Sequence, residues 1–100
     1  MTTTTTPDTE LLAMIERLDR LWAESDRLVD IVEGEPRFAA ICGECAQLER
    51  VILATPAFTH AGANGKQRIV ARADLTDFDD LGLIGTIFEL DAERVAAAAG

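Results

Sequence analysis

The sequence predicts an all-α fold: a long antiparallel helical hairpin followed by one or two short C-terminal helices, expected to pair into a dimeric bundle. Three observations lead there. Apolar residues recur at alternating spacings of three and four through the first half of the chain, as on one face of a helix. A Gly-Glu-Pro break at 34–36 divides that pattern, and so short a link favours an antiparallel helical hairpin. Convincing period-two alternation is absent, with 67–71 and 83–88 the nearest approach to a strand.

The first helix opens at Thr6-Pro7-Asp8. Thr6 suits the cap, Pro7 the first helical position, and Asp8 and Glu10 the positive end of the helix dipole. Leu11, Ile15, Leu18, Trp22, Val29 and Val32 form the stripe, interrupted by Ser25, and Met14, Leu21 and Leu28 add a parallel row. Glu16, Arg20, Asp26 and Arg27 lie opposite. A helix reaching Glu33 would be roughly 40 Å long at 1.5 Å per residue. Gly34 suits its C-terminal turn, and Pro36 can open the second helix, where Phe38, Ile41, Cys45, Leu48 and Ile52 share a face. That helix should stop near Ala54, because Thr55 precedes Pro56 and is steered out of the helical region.

Residues 55–65 admit two readings. Pro56, Gly62, Asn64 and Gly65 argue for a loop, whereas Thr59 can cap a third helix that tolerates its glycines. On the first reading 55–66 is the mobile part of the domain, with His60 exposed and partnerless. Lys66 to Ala73 is helix-compatible, with Ile69, Val70 and Ala73 together. Thr76 or Asp77 can cap a last helix bearing Leu81, Ile84, Ile87 and Phe88 on one side. The domain plan is thus a disordered threonine run at 1–6, one helical domain at 7–95 (hairpin 7–54, C-terminal helices 59–95), and a frayed tail at 96–100.

Composition narrows the function. The 100 residues carry 18 acids against nine bases, a net charge of −9, and both halves are acidic (11 acids and five bases, then seven and four). That weighs against nucleic acid, whose phosphates need Lys and Arg. No apolar run nears the roughly 20 residues that span a bilayer, so no membrane role is expected. The threonine-rich start lacks the basic and apolar regions of a secretory signal, which makes the cytoplasm, with reduced thiols, the expected location.

The constellations that resemble chemistry are incomplete. Cys42-Gly43-Glu44-Cys45 has the spacing of a redox pair or half a zinc site, yet it falls within a helical pattern, and His60 is the one further soft ligand. Cys45 therefore reads first as a core residue and Cys42 as a half-buried small apolar one, with a four-thiolate site across a dimer as the metal alternative. A phosphate loop ending at Gly65-Lys66 fails at both ends, since His60 and Gln67 occupy positions that need Gly and Ser or Thr. A calcium loop from Asp77 fails at Leu81 and at Phe88. The helices lack the E-x-x-H pairs of a di-iron bundle. Lys66, Arg68 and Arg72 form a basic cluster, read as a solvated face or as a contact for an anion or an acidic partner. No catalytic residues, cofactor or resident metal are assigned, and an enzyme is not expected.

The stretch Ala54-Thr55-Pro56-Ala57, with Thr59, Ala61-Gly62, Lys66 and Arg68, resembles a group of short bacterial helical proteins, chiefly alphaproteobacterial and sometimes prophage-associated. They are similar in placing two long acidic helices before a T-P-A-x-T-x-x-G-x-x-x-K-x-R segment. Asp79 to Ile84 falls where they continue with a short helix, while Gly65 departs from their usual helix former. The group has no established activity, so the resemblance implies architecture alone.

The resulting expectation is a non-enzymatic acidic helical protein that acts by self-association and protein–protein contact. Its homodimer interface is placed on Met14, Leu18, Leu21, Trp22 and Leu28, a stripe wider than one partner helix covers. The alternatives are a phage-related adaptor or regulator, such as a DNA-packaging subunit or an antitoxin-like partner, and a small metalloprotein using Cys42 and Cys45.

Overall fold

A computed structural model describes residues 8–28, 35–73, 75 and 82–99. Within them the chain is helical and free of strand: α1 (Thr9–Leu28), α2 (Glu35–Ala54), α3 (His60–Ala73) and α4 (Leu83–Ala99). The segments weighed as strands, 67–71 and 83–88, are both helical. The threonine run, Pro7, the C-terminal extension of the first helix past Leu28, and the caps expected at Thr76 and Asp77 lie outside the described residues.

Side chains dictate where α1 and α2 meet. Leu11, Ile15, Leu18 and Leu21 recur every three or four residues, so they fall on one face of α1 and are buried together. Ile41, Cys45 and Ile52 do the same on α2, with Leu48 packed against them. Each buried Leu or Ile contributes roughly 1.5–3 kcal/mol, which makes this seam the largest source of stability. Two exposed ion pairs bridge the helices outside it, Arg17 to Glu44 at 2.8 Å and Arg37 to Glu24 at 2.9 Å. The second helix ends at Ala54, as the Thr55-Pro56 sequence requires.

Of the two readings of 55–65, the loop holds for 55–59 and the helix capped by Thr59 for 60–65: α3 begins at His60 and contains both Gly62 and Gly65. The glycines serve contact, not turning. A β-carbon on Gly62 would overlap the Asp8 carboxylate, and one on Gly65 would sit 2.7 Å from Ile15 Cδ1. Their bare backbone lets α3 close onto α1, where Ile69 joins the core cluster alongside Ala57.

The last helix stands apart. Gly82 precedes it with φ +67°, a left-handed conformation that glycine adopts without strain. α4 rests mainly on α3. Its buried apolar residues, Ile84 and Val95, lie outside the main core cluster. The fold is correspondingly flat, with a shortest dimension of 15 Å and a radius of gyration of 15.5 Å, where a compact domain of this length has about 13 Å.

Candidate functional site: a loop held by two buried aspartates

The most distinctive chemistry surrounds residues 55–59, which join α2 to α3. Three charged side chains, Asp8, Lys66 and Asp91, are each only 1% exposed. Burying an ion costs several kcal/mol unless its hydrogen bonds are supplied, so each must be accounted for.

Asp8 immediately precedes α1, and its carbonyl accepts the Leu12 amide at 2.8 Å. This differs from the expected role of Asp8 inside the first turn. Its carboxylate is directed away from its own helix. Oδ1 accepts the Phe58 amide at 3.0 Å, and Oδ2 accepts the Thr59 amide at 2.9 Å and the Thr59 hydroxyl at 2.5 Å. The Thr59 hydroxyl in turn accepts the Gly62 amide at 3.1 Å, which makes Thr59 the cap of α3. In an ordinary capping box the third helical residue returns a carboxylate to the cap amide. Here Gly62 holds that position, and Asp8 reaches across from another helix to do the same work.

The second aspartate comes from α4. Asp91 Oδ1 accepts the Ala57 amide at 3.0 Å and an Arg94 guanidinium N–H at 3.0 Å. Asp91 Oδ2 faces Lys66 Nζ at 2.6 Å. Lys66 comes from α3 and also donates to the Thr55 carbonyl at 2.7 Å, just past the end of α2 where the helix dipole favours a cation. Thr55 donates its own hydroxyl back to the Val51 carbonyl at 2.7 Å. The loop amides of residues 57, 58 and 59 thus all end on buried carboxylates. These contacts run against the expectation that 55–66 is the mobile part of the domain. The three charged side chains are closed to solvent and hydrogen-bonded within the cluster except at Asp91 Oδ2, which has the Lys66 charge beside it but no hydrogen bond, so what they accomplish is to fix the loop and fasten four elements at one point.

The basic cluster is dispersed by these contacts. Lys66 is interior, which removes it from any surface contact. Arg68 forms a two-pronged pair with Asp19 at 2.9 Å for each prong, and the Asp19 hydrogen bond raises the Arg68 pKa above its ordinary value. Arg72 lies 4.7 Å over the Trp22 ring and 3.4 Å from Asp26. Of the residues assigned to an interface, Leu18 and Leu21 are buried within the single chain, and Met14, Trp22 and Leu28 pack against its core. One chain therefore already covers most of that stripe, because α3 lies on α1 beside α2.

Cys42 is exposed and Cys45 buried, and both are free thiols. Burial, followed by the Glu49 charge, pushes the Cys45 thiol upward. Among the described residues, no three His, Cys, Asp or Glu side chains come together as a metal site. His60 is exposed at the start of α3.

Asp91 and Arg94 were not among the residues singled out from sequence, and Asp8 was read only as a helix-start residue. The signal for Asp91 was nonetheless present: it stands seven residues after Ile84 and four before Val95, a charge inside an apolar stripe. No helix is long and apolar enough to cross a membrane among the described residues. No protein-family model, curated protein or solved structure matches the chain.

Proposed function

We propose that the chain is a non-enzymatic helical protein that works by self-association, with α4 as its associating surface and the α1–α2 hairpin as its scaffold. The carrying observation is the outer face of α4. Leu83 is 53% and Leu90 42% exposed, seven residues apart and therefore on one side of the helix. A second side, about 100° round the helix, is already engaged through Ile84, Asp91 and Val95. A helix apolar on both sides is expected to be covered on both, and the flat form of a single chain leaves one of them open.

The occupant that fits is a second copy, with α4 meeting α4 about a two-fold axis as in the commonest homodimers. Like charge opposes such pairing, because each copy carries −9. Apolar contact then drives association and salt strengthens it by screening the repulsion. Sedimentation equilibrium at micromolar concentration is expected to show a dimer whose dissociation constant falls with added salt. Leu83→Glu with Leu90→Glu is expected to give a helical monomer. A wild-type monomer across that range refutes the proposal.

A further inference from the structure

The charge distribution carries a second, separate assignment. A cleft of ≈ 470 Å³ runs between α1 and α2 on the side away from the loop clamp, and Arg17, Arg20, Arg27 and Arg37 line it. These are four of the nine basic residues in the chain, whereas only two of the eighteen acids, Glu24 and Glu44, line the same cleft. In a protein of net charge −9 such a concentration of cations runs against the overall balance. The spacing of Arg17, Arg20, Glu24 and Arg27 places them along one stripe of α1, and Arg37 and Glu44 face them from α2.

The two glutamates hold guanidinium groups in place without exhausting them. Glu24 takes Arg37 Nε and Nη2 at 2.9 and 3.2 Å, and Glu44 takes Arg17 Nη2 at 2.8 Å. Each guanidinium has five donors, so donors remain on both. Arg20 pairs at 3.1 Å with Glu16, outside the cleft lining, and Arg27 makes no hydrogen bond or ion pair within the described residues. Arg20 and Arg27 stand seven residues apart, about 10 Å along the helix axis.

We propose that this cleft binds a small anion bearing two or more linked phosphate groups. Guanidinium forks match phosphate oxygens in two-pronged geometry, and four arginines around one cleft offer more than one such fork to an anion charged at adjacent centres. A lone carboxylate would gain little there, since Glu24 and Glu44 already provide that chemistry. The volume falls within the ~300–1,000 Å³ usual for small-molecule sites. Beyond about 8 Å the acidic remainder of the protein is screened at physiological ionic strength, which leaves the local arginines to set the affinity.

Inorganic pyrophosphate titrated into the full chain at 0.15 M salt tests this, read by calorimetry and by the arginine Nε signals in NMR. Saturable binding that shifts the Arg17, Arg20, Arg27 and Arg37 signals is expected. Arg27→Ala, which removes an exposed side chain without an ion pair among the described residues, should weaken binding about tenfold, the usual worth of one charge-assisted hydrogen bond. Arg20→Ala should act in the same direction. Arg50→Ala makes the same change of net charge on an exposed residue outside the cleft and should leave affinity unchanged. The proposal is overturned if no saturation occurs by millimolar pyrophosphate, if Arg50→Ala weakens binding as much as Arg27→Ala, or if sulfate binds equally well.

Discussion

Removing the Asp91 charge should damage this fold more than removing the Lys66 charge, although the two form a single ion pair. In Asp91→Asn the Lys66 ammonium keeps one oxygen partner, the Thr55 carbonyl at 2.7 Å, inside a site closed to water. In Lys66→Met the Asp91 carboxylate keeps both the Ala57 amide and the half-exposed Arg94, each at 3.0 Å. Breaking a buried pair from one side costs about 3–5 kcal/mol. Asp91→Asn belongs at the top of that range and Lys66→Met at or below its foot. Within a total stability of about 5–15 kcal/mol the first change approaches global unfolding. Each kcal/mol corresponds to roughly 4–8 °C in Tm for a domain of this size. Replacing both charges at once, Lys66→Met with Asp91→Leu, should recover much of the loss, because no unpaired ion remains. Urea unfolding followed by far-ultraviolet circular dichroism gives all three values and their coupling. If Lys66→Met is the costlier single change, or Asp91→Asn costs less than about 1 kcal/mol, the account of the clamp is wrong.

Three other outcomes are expected. Gly62→Ala should destabilise by about 1–3 kcal/mol through its collision with the Asp8 carboxylate, while Gly43→Ala, in helix with open space around it, should stabilise by about 0.5–1 kcal/mol; chemical denaturation of the pair checks both signs. A thiol reagent at neutral pH should modify Cys42 rapidly and Cys45 only on unfolding, since burial raises the Cys45 thiol. Burial also raises the Glu49 carboxyl above 4.5, against a smaller opposing effect of Arg50, so the folded state holds that proton more tightly than the unfolded chain. Stability from this group is therefore fully present below pH 4.5 and declines as pH rises through the raised folded value. Glu49→Gln should accordingly be the more stable protein at pH 7 and show little difference at pH 4, as read from urea midpoints.

How much of this was legible beforehand follows from the range of each interaction. The α1 and α2 stripes were readable because helical periodicity is written into neighbouring residues, and the end of α2 at Ala54 because Pro56 acts on the residue before it. Residues 60–65 were ambiguous because glycine has one signature for two purposes, freedom in a turn and closeness in a helix contact. Only the position of Asp8, 51 residues from Thr59, decides between them. Lys66 was misplaced for the same reason: its partner Asp91 is on another helix, and a lysine without a visible partner is assigned to the surface. The dispersal of Arg68 and Arg72 onto Asp19, Asp26 and Trp22 likewise depends on α3 lying along α1.

The loop clamp also bears on how the chain is made. Synthesis proceeds from the N-terminus, so α1, α2 and α3 are complete before residue 91 exists. Until then Lys66 has no counter-ion, and the Ala57 amide lacks its acceptor 34 residues downstream. Any product that stops short of α4 leaves Lys66 without its ion-pair partner and the Ala57 amide without its acceptor, and is correspondingly open to local unfolding. Proteases act on such openings. The ion pair therefore separates chains that have made α4 from those that have not: the loop is locked at the moment Asp91 arrives.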